Sequence, residues 1–342
     1  MSVPFRAAAV IPARDALPDV LEAVASACAQ TLVPEEVVVV DDGSGDGTGE
    51  AVERRFGAGG ASGAVPVRVV RGRFGGAAAA RNAGWRAARA PWIAFLDADD
   101  LWFPGKLWAA AEALAAAPEA AWFFSDGAFR TLEGELRASW LETYADLAEG
   151  YVGAPVGELF EVNFVLTSSV VVRRDALESL GGFDEGLSHA EDLDLWIRLA
   201  RRWPAAASRH ALVRYQHRPG GLTRQIERRL LGDVELFDRL AADRTLPAPL
   251  RARARRRRAM AHYKLAVRAL REGDPRAARA RLPHAWLFPG RALPVLAAWG
   301  VSLLPAGVLG GLRRQTWATR GVGRRMLAQR RVVLRGAERR AP

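Results

Sequence analysis

The stretch "EVVVVDDGSGDGTGE" (residues 36–50) sets four consecutive valines against paired aspartates and a glycine-rich turn. An apolar run this short, closed by turn residues, reads as a strand buried on both faces, with a helix starting behind the turn. The same grammar recurs along the first half of the chain. AAAVIPA (7–13), VRVVRGR (67–73) and WIAFLDADD (92–100) are apolar runs that end on polar or turn residues. Helical stretches over 16–30, 47–57 and 77–90 separate them. Continuous apolar strands alternating with helices predict an α/β fold whose mainly parallel sheet is covered on both faces. Ligands of such sheets bind outside the carboxyl ends of the strands, which is where the acids and glycines of this sequence fall.

Further strands are predicted over 120–129, 167–177 and 207–218. A helix is predicted over 190–203, where Leu193, Trp196, Ile197 and Ala200 recur at helical spacing. After about residue 223 strand-like runs stop, and Arg/Ala/Leu-rich helical segments such as RARARRRR (251–258) take over. This texture sets a boundary near 225, giving a first domain over 1–225 and a helical extension over 226–342. Residues 292–312 are 21 positions without a charge, long enough for the roughly 20 residues of a spanning helix. Pro294, Pro305 and several glycines interrupt them. An interfacial or partner-binding hairpin is therefore preferred, with a membrane span or a helical layer packed on the first domain as alternatives.

The 342 residues are 50% apolar and 25% charged, a globular composition. Net charge is +11, from 49 Lys+Arg against 38 Asp+Glu, and Lys106 and Lys264 are the only lysines. An Arg/Ala/Gly bias from a GC-rich genome explains this charge as well as an anionic partner does. The single cysteine, Cys28, excludes an internal disulfide framework and a Cys-built metal site. The N-terminus has no long apolar h-region, which sets the expectation of a cytoplasmic protein.

Chemistry concentrates at three strand ends. Asp46 or Thr48 could cap the helix after DDGSGDGT, but a cap does not require Asp41 and Asp42 as a pair at the strand tip. A carboxylate there can accept from a ribose hydroxyl or a base N–H. In GGAAAARNAG (75–84), Arg81 falls near a helix start, where a guanidinium suits a phosphate or a base. In FLDADD (95–100), alternation along an extended segment aims Asp97 and Asp99 the same way. Two converging carboxylates match a hard divalent cation completed by water and phosphate oxygens. Asp100 is read as the cap of the helix beginning near Pro104.

VIPARD, VVVVDDGSGDGT, AAARNAG, FLDADD.W.P.K, GGFDE and EDLDLWIRLA follow one another in the order seen in family 2 glycosyltransferases. The resemblance covers about residues 5–220. It implies the GT-A fold, a Rossmann-like sheet flanked by helices, here with a C-terminal helical extension. It also implies transfer of a sugar from a nucleotide-diphosphate donor, usually a UDP-sugar, with inversion and with Mg²⁺ or Mn²⁺. By this resemblance Pro12, Ala13 and Arg14 form the first nucleotide-contacting loop. Asp42 recognises the base, Asp41 supports the turn, and Arg81 lies at the nucleotide pocket. Asp97 and Ala98 face the ribose or metal shell, and Asp99 ligates the metal, with Asp97 beside it.

An inverting transfer needs a base for the acceptor hydroxyl. The family's E-D motif falls on Glu191 and Asp192, with Asp192 the expected base and Asp194 structural. Phe183, Asp184 and Glu185 resemble the acceptor-side loop. His217, with Arg218 second, resembles a basic residue near the diphosphate. The expected acceptor is a lipid-linked or cell-envelope glycan, reached through peripheral contact with the anionic inner face of the membrane, and no nucleic-acid partner is expected. A sugar-nucleotide nucleotidyltransferase would carry G-x-G-T-R, and a dehydrogenase G-x-G-x-x-G, after the first strand. IPARDALP stands there instead. A non-enzymatic Arg-rich protein binding membrane or nucleic acid would leave the acidic strand ends unexplained.

Overall fold

The computed structural model describes residues 5–57, 63, 65–130, 136–187, 189–216, 226–286, 292–303 and 331–335. Strand β1 (Ala7–Ala13) leads to α1 (Asp19–Cys28), β2 (Glu36–Asp42) to α2 (Thr48–Phe56), and β3 (Val67–Gly72) to α3 (Ala77–Ala87). After β4 (Trp92–Phe95) come β5 (Leu101–Trp102), α4 (Lys106–Ala116), β6 (Trp122–Arg130) and β7 (Leu136–Arg137). The middle of the chain holds α5 (Leu141–Tyr144), β8 (Ala145–Leu147), β9 (Val152–Gly153) and α6 (Val156–Glu161). It continues through a 3₁₀ turn (Thr167–Ser169) to β10 (Val171–Arg173), α7 (Arg174–Leu180), α8 (Glu191–Ala200) and β11 (Ala205–Tyr215). Helices α9 (Ile226–Ala242), α10 (Ala248–Glu272), α11 (Pro275–Ala285) and α12 (Ala292–Ser302) follow, then β12 (Val332–Leu334).

The main sheet runs β3-β2-β1-β4-β10-β6-β11-β5. Strands β3, β2, β1 and β4 are mutually parallel, β10 is antiparallel to both neighbours, and β6 and β11 are parallel. The run of four valines divides as its reading requires. Val38 and Val40 join Ala8 and Val10 in a core under α3, α7 and α8, while Val37 and Val39 join Ala9 and Ile11 under α1, α2 and α4. Both faces are buried, so alternate residues of one strand feed two cores. The chain steps from β1 to β2 and β3 on one side, then crosses to β4 on the other. The carboxyl ends of β1, β2 and β4 thus open together at the point where strand order reverses. Gly84 lets α3 lie against this region: a Cβ there would sit 2.4 Å from Val10 Cγ1 and 2.9 Å from Val40 Cγ2.

Three expectations change. Residues 167–177 are not one strand but a 3₁₀ turn, the three residues of β10 and the first half of α7. The strand expected over 92–100 ends at Phe95, and Asp97–Asp100 form a turn in which Asp100 N donates to Asp97 O at 3.0 Å. Strand structure also returns after 223, because β12 pairs in parallel with β8.

The helices after 225 share the first core. Leu236, Phe237, Leu240 and Ala254 are buried in the cluster that holds Trp196 and Phe160. The arginine run of α10 is largely spent in packing. Arg251 donates to the Leu246 carbonyl, Arg253 to Gly157 O, Arg257 pairs with Asp233, and Arg258 with Asp238. Of the uncharged segment 292–312, residues 292–303 are described. There α12 packs Val295 and Ala298 against Tyr263, Leu270 and Leu282 of α10 and α11. No helix of the described residues is long and apolar enough to cross a membrane.

Candidate active site

The sheet edge is built first from backbone hydrogen bonds to carboxylates. Asp41 Oδ1 accepts from Ser44 N at 2.9 Å and so holds the turn after β2. Asp42 accepts from three successive amides, Phe74 N, Gly75 N and Gly76 N, which fixes the loop before α3. Gly75 and Gly76 adopt φ of 87° and 150° there, conformations that glycine reaches without strain. The turn after β2 is locked to the end of β1. Asp15 Oδ1 accepts from Gly45 N at 2.7 Å, and Asp46 Oδ2 accepts from Leu17 N at 3.0 Å. Pro12 and Ala13 close β1 in register with this edge, and Arg14 just beyond them is exposed.

Arg81 is the centre of the next layer. Its guanidinium, 7% exposed, donates to Asp97 Oδ1 at 2.8 Å and to Glu191 Oε1 at 2.9 Å, and lies 5.4 Å from the Phe183 ring centroid. Burial alone would lower its pKa, but Asp97 and Glu191 together raise it. The charge is therefore permanent, and one cation ties α3, the end of β4 and the start of α8. Phe183 itself is buried, edge-on to Phe95 and Trp196.

The acids after β4 have separate tasks. Burial, then the charge of Asp97, pushes the Asp99 carboxyl up to about 6. The two carboxylates are thus neighbours, brought together by the turn rather than by strand alternation. Ala98 between them is buried. Asp100 caps no helix: α4 begins at Lys106 after Gly105 and has no side-chain cap. Asp100 is buried instead, accepting from Ser168 Oγ at 2.5 Å and Gln216 N at 3.0 Å. Burial and the neighbouring aspartates raise its pKa well above the usual carboxylate range. Ser168 Oγ also accepts from Asp97 N at 3.0 Å, which pins the acidic turn to the 3₁₀ segment.

Asp192 opens α8. Asn163 Nδ2 donates to its Oδ2 at 3.0 Å, and burial followed by the Glu191 charge pushes its carboxyl up to about 6. Ala190, just before the pair, holds φ at 65°, a left-handed conformation unusual for a residue with a Cβ. Arg81, Asp97, Glu191 and Asp192 line one cavity of about 280 Å³. Asp194 faces away and pairs with Arg198 at 2.6 Å.

Not every expected residue joins that cavity. Asp184 accepts from Arg239 at 2.9 Å and Glu185 from Asn82 at 2.7 Å, and both line a separate, open depression with Asn82 and Arg198. His217 and Arg218 lie outside the described residues.

Residues 8–180, just over half of the chain, match the family model described as glycosyl transferase family 2. The chain belongs to glycosyl transferase family 2. Among curated relatives, it is 41% identical over 102 residues to the succinoglycan biosynthesis protein ExoO of Rhizobium meliloti, covering 29% of this chain and 26% of that protein. It is 32% identical over 147 residues to a pre-mycofactocin glycosyltransferase of Mycobacterium tuberculosis, covering 42% and 30%. These matches span about a quarter to three tenths of the relatives' lengths. Among solved structures, S. aureus TarS in complex with UDP-GlcNAc superposes with a TM-score of 0.63 at 17% identity, covering 91% of this chain and 92% of that one. A mannosyltransferase from Pyrobaculum calidifontis in complex with GDP-Man and Mn²⁺ gives 0.54 at 21% identity, covering 91% and 81%. The GT-A fold is shared with both.

Several residues around this candidate site make contacts that their place in the sequence does not announce. Asn82 uses its whole amide, donating to Phe183 O and Glu185 and accepting from Trp85 Nε1 and Phe183 N. It stands beside Arg81 in the A-R-N motif, which is the signal that could have found it. Asn163, Ser168 and His189 belong to no motif. The cavity wall that α9 and α10 supply, including Arg229, Asp233, Arg257 and Lys264, comes from helices whose sequence reads only as an extension.

Proposed function

We propose that this family 2 glycosyltransferase moves a sugar from a nucleotide-diphosphate donor to a hydroxyl acceptor with inversion, and that Asp192 is the base. The observation that carries this reading is the state of Asp192. It is enclosed beside the Arg81–Asp97–Glu191 network, held by Asn163, and raised to about 6 by burial and Glu191. A base with a pKa near working pH both stays largely ionised and accepts a proton readily. The acceptor O–H gives its proton to Asp192 as the oxygen bonds to the anomeric carbon. The bond from that carbon to the diphosphate breaks on the opposite face, and its electron pair leaves with the nucleotide.

The donor belongs at the sheet edge. The loops joined by Asp15, Asp41, Asp42 and Asp46 frame a nucleotide, and Asp97 and Asp99 lie where its diphosphate would end. Among the described residues no group of three or more His, Cys, Asp or Glu forms a metal site. A pair still suits Mg²⁺ or Mn²⁺, which commonly take one or two carboxylates and complete their shell with phosphate and water. Burial and the Asp97 charge both disfavour the ionised Asp99 carboxyl, and a bound cation would offset the repulsion between the two. When bound, the ion would offset charge on the departing diphosphate. Arg81 keeps Asp97 and Glu191 in place without a change of its own charge.

The acceptor reading as a cell-envelope glycan draws on the succinoglycan relative, to which the likeness is partial. A donor screen tests the whole proposal. UDP-, GDP- and TDP-sugars with Mn²⁺ or Mg²⁺ should include at least one that raises the melting temperature and is slowly hydrolysed by the wild-type chain but not by Asp99→Asn. Binding of no nucleotide-sugar would overturn it.

A further inference from the structure

The cavity that holds Asp192 has two electrically different ends. One is acidic and is balanced internally by Arg81. The other is walled by α9 and α10 and carries three cations, Arg229, Arg257 and Lys264. Arg257 is committed: it pairs with Asp233 at 3.3 Å, donates to Glu161 O, and stacks 5.3 Å from the Phe237 centroid. Arg229 and Lys264 form no ion pair or hydrogen bond among the described residues. Arg229 is exposed at the mouth, and Lys264 lies half-buried within. Burial, with Arg257 and Arg229 adding repulsion, brings the Lys264 amine down to about 8. Asp233 opposes that shift but is already engaged by Arg257. Next to this wall both ring nitrogens of His189 are buried without a hydrogen-bond partner among the described residues.

Resting on the transfer reading above, we propose that Arg229 and Lys264 form an acceptor-side anion site, and that the acceptor of this enzyme carries a phosphate group. The donor diphosphate is assigned instead to the sheet edge, as proposed above. Arg229 and Lys264 stand on α9 and α10, whereas Asp97 and Asp99 follow β4 at the sheet edge. Asp192 lines the same cavity as Asp97, Arg229 and Lys264. An acceptor anchored by α9 and α10 would present its hydroxyl to Asp192 within that cavity, and inversion requires it to attack the face opposite the leaving group. Two positive charges without an ion-pair partner among the described residues match the charge of a phosphate monoester and exceed that of one carboxylate. His189 then has a ligand hydroxyl or phosphate oxygen as its missing partner. The site comes from the helical extension, so α9 and α10 select the acceptor while the sheet edge selects the donor.

The test uses the full chain saturated with UDP and Mn²⁺, so that the donor site is filled, and calorimetric titration with glucose 1-phosphate or glucose. The wild type should bind the phosphate at least tenfold more tightly than the neutral sugar. Arg229→Gln and Lys264→Gln should each lose most of that preference while UDP affinity changes less than twofold, with melting temperatures confirming the fold. Equal binding of the two sugars, or variants that keep the preference, overturns the proposal. A parallel tenfold loss of UDP affinity also overturns it, since the cations would then serve the donor. If the wild type does not bind UDP, GDP or TDP takes its place; failure to bind any of the three sinks the transfer reading instead, and the phosphate preference of the nucleotide-free chain still decides the anion site. A polyprenyl phosphate in detergent micelles is the second arm. Tighter variant-sensitive binding than glucose 1-phosphate places the phosphate on a lipid carrier, and weaker binding places it on a soluble or polymeric glycan.

Discussion

Arg81 and Glu191 form a buried ion pair, 2.9 Å between Nη1 and Oε1, across 110 positions of chain. With Asp97 on the other arm of the guanidinium, one side chain joins three elements of the site. Deleting one partner of a buried pair leaves the remaining charge uncompensated, at a cost of about 3–5 kcal/mol. Arg81→Met should lower the unfolding free energy by that order in urea titration. Arg81→Lys should recover only part, because an ammonium lacks the fork that reaches two carboxylates. A loss below about 1 kcal/mol would show the bridge to be incidental.

Asp192→Asn separates chemistry from structure. The amide keeps the shape and can still meet Asn163, but it cannot accept the acceptor's proton. Transfer should fall by roughly 10²–10⁴-fold, the range that a positioned base supplies, while nucleotide-sugar affinity stays within a few-fold of wild type. Equal losses in binding and turnover would remove Asp192 from the role of base.

Legibility follows the range over which each feature is encoded. Strands β1, β2 and β3 are readable to within a residue, because their apolar runs are bounded by Pro, Gly and Asp in the chain itself. Asp97 and Asp99 do act on each other's charge, but they lie in a turn and not along the extended strand that alternation would need. Asp100 reads wrongly as a cap because capping is the local option, whereas its partners Ser168 and Gln216 are 68 and 116 positions away. Asn163 on Asp192 and Lys264 on the cavity wall are products of tertiary packing alone. Asp184 and Glu185 sit in a recognisable motif, yet Arg239 and Asn82 draw them to another surface.

The close approach of α3 to the sheet predicts a steric effect remote from charge. A methyl at residue 84 would overlap Val10 and Val40, and overpacking of this kind costs typically about 1–3 kcal/mol. Gly84→Ala should lower stability by that order and, by displacing Arg81 on the same helix, reduce turnover as well. Unchanged stability would mean that α3 can lift from β1 without loss.

The Asp99 carboxyl, raised by burial and by Asp97, makes a counter-intuitive pairing of stability and activity. Asp99→Asn removes a like charge beside Asp97, so the metal-free protein should melt at the same temperature as wild type or higher. The wild type should gain stability on adding Mn²⁺ and a nucleoside diphosphate, in proportion to occupancy, and the variant should gain little and turn over no donor. Full Mn²⁺-dependent stabilisation of the variant would remove Asp99 from the ligand set.

Asp192 also predicts a pH dependence with a definite sign. Its carboxyl titrates near the usual 3.8 when unfolded and at about 6 when folded, so the native state binds the proton more tightly. A carboxyl shifted upward favours folding when protonated. That contribution is complete below the unfolded value and is lost as pH rises through the folded one. At neutral pH the ionised group therefore destabilises the fold by about 1–3 kcal/mol, the free-energy equivalent of that difference in proton affinity. Asp192→Asn should consequently match wild type in stability at about pH 4 and exceed it at about pH 8. Activity runs the other way, because only the ionised carboxylate is a base: kcat/KM for transfer should rise through about pH 6 and level off above it. Urea titrations of both proteins across this range, with a rate profile of the wild type, measure the two curves. A stability difference that is flat with pH, or a rate that falls between about pH 5 and pH 7, would contradict the assignment.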